Sequence, residues 1–369
     1  MKHKKVLIVG AGITGCTLAA LLEQRGIVPT VVDKAHKSDP NGFGITIMPR
    51  GLEVLQMLGV RSDMEQDGGI LRSCRMYDTH GKLLNSFGLS ESGVDSVTLD
   101  RDALLKIVRS KLKRTNIRWQ TSISRLKQLK NGVRVTFTDG SQADFDLVVG
   151  ADGINSQVRS KIFPSVKPEK VGAAIWMLKL PAGCAIEDSS YGRLIFGDYR
   201  FMAVFPYQDT AAVAFTMPLD PTIDPYTVDI TESFTGMSAL TDQVLAKLKR
   251  ADMYAGHLHQ LKLKQWYKGR VVVAGDAAHA MLPASGMGAS NGIQDAAVLA
   301  RLISDMDAAQ WDYLPTQYQK AQKPTIDARQ REAYLLGRIM LLNKPSALLR
   351  DATFSLIPRA LLGQALVRR

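Results

Sequence analysis

The chain has 369 residues, which predicts two or three domains because a single hydrophobic core stops growing at roughly 250 to 300 residues. Hydrophobic residues make up 46% of the chain and charged residues 22%, and no run of about 18 consecutive apolar residues occurs, so we expect a globular protein without a transmembrane segment. The net charge of +12 suits anionic partners, but the basic residues are dispersed, which favours a solvated surface over a nucleic-acid site.

Cysteine usage argues against a disulfide framework and against a zinc site. Cys16, Cys74 and Cys184 are far apart and lie outside any CxxC spacing, so we expect no metal site and a reducing, cytoplasmic location. The N-terminus, MKHKK followed by an apolar stretch that ends at Cys16, is also similar to a lipoprotein signal. Cleavage there would destroy the first predicted strand and turn, so we favour the intact chain.

The start of the chain predicts a strand, a glycine-rich turn, a helix and a second strand. The strand covers residues 5–9, the turn reads GAGITG at 10–15, the helix covers 13–24, and the second strand at 30–32 precedes Asp33. Such a unit belongs to a parallel sheet, and its turn holds the pyrophosphate of a dinucleotide against a helix N-terminus. A glycine-rich turn without a ligand is the weaker alternative. The predicted contacts at this end are Gly10, Ala11, Gly12, Gly15, Asp33 and Lys34.

Helices and hairpins follow. Helices are predicted at residues 51–58 and 102–112, the second with Asp100 as its N-cap. The dipeptides NG at 131–132 and DG at 139–140 lie between alternating segments and indicate two hairpin turns. They predict a small antiparallel ribbon that leads into the next strand.

The middle of the chain changes character, which indicates a second domain. From about residue 168 to 263 it consists of short strand-like pieces with scattered prolines, and the interval 68–97 has similar segments that we expect to join the same sheet. The predicted strands are 74–78, 173–180, 193–196, 201–206 and 211–217. Helices are predicted at 292–306, at 313–342 and, broken near Pro358, at 347–369.

A carboxylate far along the chain marks a second cofactor-binding point. Asp276 follows the strand-like run RVVVAG, 266 positions after Gly10, and a proline and glycine turn comes next. Two nucleotide-type signatures so far apart imply a long cofactor whose ends are held separately, and we predict FAD. Asp276 would accept hydrogen bonds from ribityl hydroxyls, and a helix N-terminus after the turn would stabilise the anionic reduced flavin. We expect a structural role for His279 rather than a catalytic one. The predicted contacts here are Asp276, Pro283, Gly286, Gly288 and Ala289.

Two further segments carry a family resemblance. Residues 146–159 read DLVVGADGINSQVR, and residues 269–296 read GRVVVAGDAAHAMLPASGMGASNGIQDA. Together with the glycine turn they form three motifs in order, and over essentially its whole length the chain resembles the class A flavoprotein monooxygenases, which have the para-hydroxybenzoate hydroxylase fold. The resemblance implies an α/β protein: a Rossmann-type FAD domain built on the GxGxxG turn, an inserted mixed or antiparallel β-sheet domain for substrate, and C-terminal helices.

The resemblance also assigns cofactor contacts outside the glycine turns. Arg101 matches an arginine that reaches the FAD pyrophosphate, and Ile123 matches a position that contacts adenine through its backbone. Asp152 and Arg159 match a motif that contacts both flavin and pyridine nucleotide, although an ordinary salt bridge is an equally good role for Arg159.

Three positions depart from the family pattern. Asp33 stands where Glu is usual, which shortens the ribose contact by one methylene, and Ser290 stands where Asn is common beside the flavin. No arginine precedes residues 44–47, so arginine-assisted movement of the flavin is not expected.

The resemblance implies an FAD-dependent monooxygenase. Since the chain has one dinucleotide fingerprint, NADPH or NADH would bind transiently in a surface groove and reduce the FAD; O2 would then form a C4a-hydroperoxide that hydroxylates a small aromatic or polycyclic molecule. The flavin supplies the reactive atom, so no catalytic residue is assigned. The candidate substrate-binding residues are Trp176, Met177, Phe196, Phe205, Phe215 and Met217. Their alternation is equally typical of an ordinary sheet core.

The predicted domains are a discontinuous FAD domain at 1–67, 98–167 and 264–320, a substrate domain at 68–97 and 168–263, and a helical segment at 321–369. The helical segment caps the two domains or, alternatively, touches a membrane surface. Reductases and epoxidases of apolar substrates share these fingerprints and stay open, and a flavin-bound redox sensor is a weaker alternative. Flavin-dependent halogenases are disfavoured because no WxWxIP segment occurs. The substrate, the choice between NADH and NADPH and the oligomeric state are not determined by the sequence.

Overall fold

The computed structural model describes residues 4–36, 43–91, 93–181, 190–248, 253–307 and 310–358. Its first layer is a six-stranded sheet. From one edge to the other its strands are β18 (Tyr267–Lys268), β19 (Val271–Val273), β12 (Leu147–Gly150), β1 (Val6–Val9), β2 (Thr30–Val32) and β8 (Ile117–Arg118). All neighbours are parallel except β18 and β19. The three central strands are buried along their length, as a parallel sheet covered by helices requires.

The register of this sheet brings distant segments together. Val9 lies opposite Gly150, and Gly150 lies opposite Val273. Parallel strands leave a sheet at the same edge, so the glycine turn, the segment after Gly150 and the segment that leads to Asp276 converge at the carboxyl ends of three adjacent strands.

Helices surround the first layer. They are α1 (Ile13–Gln24), α2 (Pro49–Met57), α3 (Arg61–Asp67), α4 (Arg101–Arg109), α5 (Gln157–Ile162), α8 (Asp276–His279), α9 (Gly288–Asp305) and α10 (Leu314–Met340). Helices α1 and α9 pack so closely that a Cβ added to Gly292 would overlap the Oγ1 atom of Thr14. Helix α9 begins four residues before its predicted start at residue 292, which places its N-terminus directly after the proline and glycine turn.

The second layer is a seven-stranded sheet. From one edge to the other it contains β17 (Met253–Gln260), β13 (Glu169–Lys179), β16 (Thr210–Pro218), β15 (Phe201–Tyr207), β14 (Tyr191–Phe196), β5 (Ser73–Tyr77) and β6 (Leu83–Gly88). All pairs are antiparallel except β14 with β5. Thus strands from before and after residue 97 do share one sheet, while the exact domain boundaries stay a prediction.

The two faces of this sheet have different partners. One face packs on α6 (Ile230–Phe234) and α7 (Ala239–Leu245) and forms a closed apolar cluster with them. The opposite face is turned toward the first layer and the C-terminal helices.

Two three-stranded sheets complete the fold. One is β3 (Gly44–Ile47), β7 (Ser96–Asp100) and β4 (Gly69–Leu71), and the other is β9 (Ile123–Leu129), β10 (Gly132–Phe137) and β11 (Gln142–Phe145). In the second sheet both neighbouring pairs are antiparallel; Asn131 lies in the first turn with Gly132 beginning β10, and the DG dipeptide lies in the second turn. The predicted hairpin ribbon is therefore confirmed.

The chain ends, within its described part, in α11 (Lys344–Leu356). This helix starts before the predicted residue 347, and residues 359–369 of the same prediction lie outside the described residues. No described helix is both long enough and apolar enough to cross a membrane. Cys16 and Cys74 are buried and unpaired, and Cys184 lies outside the described residues.

Asp100 occupies the predicted N-cap position of α4, but its side chain makes no cap hydrogen bond. Instead its carboxylate accepts from the hydroxyl of Tyr207 at 2.7 Å and from Nζ of Lys179 at 2.7 Å. A hydroxyl on β15 and an ammonium on β13 of the second layer thus bind the carboxylate in place of the local backbone N–H groups.

Candidate active site

A large cavity separates the two layers. Its volume is about 2200 Å³, whereas a pocket for one small molecule typically measures roughly 300 to 1000 Å³. One end is formed by the carboxyl edge of the six-stranded sheet, and the other by the inner face of the seven-stranded sheet with the ends of α10 and α11. The cavity is thus large enough for an extended cofactor together with a second ligand.

The glycine turn is shaped as the sequence predicts. Gly10 has φ of 109°, and a Cβ there would overlap the carbonyl of Ala151. A Cβ on Gly15 would overlap the carbonyl of Gly10, so this glycine lets α1 pack on its own strand. Gly12, by contrast, lines the cavity, and its Cβ would meet no atom within 4 Å. The open space beside Gly12 lies at the N-terminus of α1, which no side chain caps.

Asp33 supports this turn as well as facing the cavity. Its carboxylate accepts from the backbone N–H of Ala11 at 2.5 Å and of Ala35 at 2.8 Å. Asp33 and Lys34 both line the cavity, whereas Ala11 is buried and does not. The carboxylate therefore holds the turn in place, and a ribose contact remains a prediction.

Asp276 lies after strand β19 and lines the cavity. It follows Gly275, whose φ of 59° turns the chain sharply, and whose N–H donates to Asp295 at 2.7 Å. No donor in the described part of the chain hydrogen-bonds the Asp276 carboxylate. Enclosure by the protein raises the pKa of Asp276, and the positive charges of His279 and Arg101 oppose that rise. An unpartnered acceptor at this position suits a ligand rich in hydroxyl groups.

His279 lies behind this carboxylate and does not line the cavity. It is 1% exposed, its Nε2 lies 2.6 Å from Asp295, and its ring packs against Trp266 at 4.9 Å. Asp295 therefore holds both Gly275 and His279. This arrangement agrees with the structural role expected for His279.

The proline and glycine turn leads into an uncapped helix. Gly286 has φ of 64°, and a Cβ on Gly288 would meet no atom within 4 Å. Pro283, Gly286, Gly288 and Ala289 all line the cavity, and no side chain caps the N-terminus of the 18-residue α9. Free backbone N–H groups at a helix N-terminus stabilise an adjacent anion, which a reduced flavin is.

Comparison with known proteins decides the family. The family model described as the FAD binding domain matches residues 3–341. The chain belongs to the class A FAD-dependent monooxygenases. FAD is its cofactor, and the glycine turn, the open Asp276 carboxylate and the uncapped helix described above fit the two ends of that molecule.

Individual relatives span nearly all of this monooxygenase. The 2-heptyl-3-hydroxy-4(1H)-quinolone synthase of Pseudomonas aeruginosa is 29% identical over 366 residues, which cover 96% of this chain and 94% of the relative. The FAD-dependent urate hydroxylase of Klebsiella pneumoniae is 25% identical over 355 residues, 92% of each chain. The crystal structure of Klebsiella pneumoniae HpxO with FAD and uric acid has a TM-score of 0.89 at 22% identity, over 99% of this chain and 96% of that one. The last likeness shows the shared fold.

The remaining predicted cofactor residues of the monooxygenase are divided between cavity and core. Arg101, the first residue of α4, lines the cavity. Ile123 does not: it is 1% exposed and packs in the core, while the neighbouring Ser122 lines the cavity in its place. Strand β9 begins at Ile123 with the side chain turned inward, and the predicted contact of adenine with the backbone of Ile123 stays a prediction.

Asp152 lines the cavity, but its side chain mainly caps α5. It accepts from the hydroxyl of Ser156 at 2.6 Å and from the N–H of Gln157 at 2.7 Å, and burial raises its pKa. In the described part of the chain Arg159 has no salt-bridge partner, and it donates to the carbonyls of Ala277 at 3.1 Å and Ile154 at 2.6 Å. The structure thus gives Arg159 the role of joining α5 to the segment that follows Asp276.

Half of the predicted substrate-binding set faces the wrong side of the sheet. Met177, Phe196 and Phe205 line the cavity. Trp176, Phe215 and Met217 instead pack on the opposite face, where Trp176 donates its indole N–H to Pro225 at 3.0 Å and Phe215 stacks on Phe234 at 4.9 Å. Successive residues of a strand point to opposite faces, so Trp176 and Met177 cannot share one.

Ser290, a departure from the family pattern, also lies off the cavity. Its hydroxyl is buried and accepts from the backbone N–H of Met48 at 2.9 Å. The serine therefore joins α9 to the segment before α2 instead of facing the ligand.

Several cavity residues were not predicted from the sequence. Their shared property is an apolar or small side chain on a wall that only the assembled fold creates; they include Thr14, Phe43, Met48, Phe87, Met281, Leu282 and Phe354. Thr14 lies inside the glycine fingerprint, and Met281 and Leu282 lie inside the motif at 269–296, so these three had a usable signal. The other four come from separate segments without a motif.

Proposed function

We propose that this monooxygenase uses NAD(P)H and O2 to hydroxylate an apolar aromatic or polycyclic small molecule. The observation that carries the proposal is the composition of the substrate half of the cavity. Its walls include Met76, Phe87, Phe196, Phe205 and Met340, so a substrate there would be held by apolar and aromatic contact. The product name of the Pseudomonas relative, a quinolone ring that carries a heptyl chain, is of the same chemical kind.

The protein positions the reactants and excludes water in this proposal. Bound FAD supplies the redox chemistry and the activation of O2. Asp276 would accept hydrogen bonds from the ribityl hydroxyls of FAD, the N-terminus of α9 would stabilise the reduced ring, and Gly12 with Arg101 would hold the pyrophosphate. Met177 and Phe205 would orient the substrate from the sheet, and Phe354 of α11 would contact it beside Phe196. No acid–base residue is required, because the cofactor provides the reacting atom.

The cysteines argue against the redox-sensor alternative and favour a cytoplasmic location. Burial raises the pKa of Cys16 to about 11 and that of Cys74 to about 12, so neither thiol ionises readily. Both are unpaired within the described part of the chain, as expected in a reducing compartment.

Substrate-stimulated turnover tests the proposed function. FAD-loaded protein is mixed with NADPH or NADH and a panel of bicyclic aromatics with and without alkyl chains. We expect one class to accelerate NAD(P)H oxidation and to yield a product that carries one atom of ¹⁸O from ¹⁸O2. A product that gains two hydrogens under anaerobic conditions would instead identify a reductase. Oxidation that no compound accelerates, with H2O2 as the sole product, would contradict the hydroxylase.

A further inference from the structure

The outer side of α11 carries an exposed stripe of leucines. Leu348, Leu349 and Leu356 are 68%, 71% and 82% exposed, and the exposed Ala352 lies between them. Positions 348, 352 and 356 repeat at the spacing of four that places side chains on one face of a helix, so the stripe is roughly 12 Å long. We call these four residues the leucine stripe.

The inner side of α11 is firmly attached to the molecule. Phe354 packs on Phe196 at 5.4 Å, and Arg350 is 4% exposed and donates to the carbonyl of Gly197 at 3.3 Å. Asn85 donates to the carbonyls of Phe354 at 2.6 Å and Ile357 at 2.8 Å. These contacts fix the rotation of the helix, so the stripe cannot turn inward without breaking them.

Basic charge accompanies the stripe. Arg338 and Lys344, which precede the stripe, are exposed, whereas Arg350 is buried and paired with Asp351 at 2.7 Å. In the sequence, residues 359–369 add three Arg and no acidic residue. An apolar helix face beside a basic excess is the pattern of a helix that lies in the interface of an anionic bilayer. A stable protein partner would need roughly 20 to 30 residues on each side, far more than this stripe offers.

We propose that the leucine stripe of α11 docks this protein onto an anionic lipid surface. Phe354 of this helix and Ile357 directly after it lie on the cavity wall, so docking places one wall of the substrate half next to the bilayer. The docking itself does not depend on the proposed hydroxylase function; delivery of an apolar substrate from the bilayer does.

Vesicle co-sedimentation of the FAD-loaded protein tests the docking. Vesicles of phosphatidylglycerol mixed equally with phosphatidylcholine should bind the wild type, and added salt or pure phosphatidylcholine should weaken binding. The double variant Leu349→Glu, Leu356→Glu should bind at least roughly tenfold more weakly, because two leucines leave the apolar phase. Met57→Glu, an equally charged change at a 51% exposed site on α2, is the matched control and should bind normally.

Three outcomes overturn the proposal. The wild type does not sediment with anionic vesicles, or the double variant binds as the wild type does. The third is that the double variant dissociates a dimer seen by analytical ultracentrifugation, which would assign the stripe to a second copy of the chain. Unchanged flavin content and melting temperature must show that the variant is folded.

A second measurement keeps the proposal testable if the double variant is unstable. Leu349→Trp preserves an apolar side chain, and its emission, after subtraction of the wild-type spectrum, should shift to the blue on anionic vesicles and be quenched by acyl-brominated lipid. Emission that keeps the wavelength of a water-exposed indole would contradict docking.

Discussion

Three aspartates follow three strands of the six-stranded sheet, β2, β12 and β19, yet their side chains have different roles. Asp33 and Asp152 accept hydrogen bonds from backbone N–H groups, those of Ala11 and Gln157. Asp276 has no such donor in the described part of the chain and opens into the cavity. A residue type at a strand end therefore does not decide its role; the neighbouring N–H groups do.

Asp276→Asn tests this distinction. The variant keeps the shape but loses the charged acceptor for ribityl hydroxyls, so we expect FAD binding to weaken by about 1.5 to 3 kcal/mol, roughly tenfold to a hundredfold. Titration of apo-protein with FAD, followed by flavin fluorescence, measures the change. Asp209→Asn, at an exposed turn, is the control. Equal flavin affinity in both variants would remove Asp276 from the cofactor site.

Gly12 and Gly15 belong to the same turn but also have different roles. A Cβ on Gly12 enters empty cavity, whereas a Cβ on Gly15 overlaps the carbonyl of Gly10. We therefore expect Gly12→Val to fold as a colourless apo-protein and Gly15→Val to fail to fold. Circular dichroism and the flavin absorbance of the purified proteins separate these outcomes. A yellow Gly12→Val protein would contradict pyrophosphate binding at this turn.

The raised pKa of His279 predicts that the free energy of unfolding depends on pH. Burial opposes the charged imidazole, but Asp295 outweighs it, so the pKa of His279 lies above its ordinary value. A raised folded-state pKa stabilises the fold fully below the unfolded value of about 6.5, and the stabilisation is lost as pH rises through the folded pKa. Denaturant unfolding of wild type should thus show a decline above about pH 6.5 that His279→Gln lacks. Parallel pH profiles would mean that His279 does not titrate with folding.

At the scale of single elements, the alternation of side chains along a strand decides which residues reach the cavity. Along β13, Trp176 points to the closed cluster beneath α6 and α7, and Met177 points to the cavity. The sequence shows only that the two side chains point to opposite faces of the strand. The position of α6 and α7 in the fold tells which of the two faces is covered.

Alanine variants of these two neighbours should therefore separate stability from substrate binding. Trp176→Ala should lower the free energy of unfolding by about 3 to 5 kcal/mol because it empties a buried site. Met177→Ala should cost less and should mainly raise KM for the aromatic substrate. Denaturant unfolding and steady-state kinetics measure the two effects. A KM change confined to a stably folded Trp176 variant would reverse the assignment of faces.

At the scale of the whole molecule, the two layers are tied together beside the cofactor end of the cavity. Asp100 lies next to Arg101 and accepts from Tyr207 and Lys179 of the second layer. Burial, together with the Asp100 carboxylate, raises the pKa of Tyr207, so the phenol stays a donor. The tie links the position of Arg101 to the substrate sheet.

Tyr207→Phe removes one donor of this tie. We expect a loss of about 1 to 3 kcal/mol in the free energy of unfolding, because a buried hydrogen bond to a charged group disappears. Hydrogen exchange should accelerate in β7, and Tyr226→Phe, at a 58% exposed site, should change neither quantity. Unchanged exchange in β7 would show that the two layers are held by packing alone.

The sequence by itself determined the local devices of this protein. Glycine spacing, hairpin dipeptides and acids after apolar runs act over a few residues, so the turn at Gly10, the ribbon before β12 and the position of Asp276 follow from them. Tertiary structure alone decided which sheet face lines the cavity, that Ile123 turns inward and that Asp100 reaches across layers. Those outcomes depend on which distant element covers a side chain. The two-residue alternation of a strand does not distinguish its two faces, so the sequence cannot tell which face will be covered.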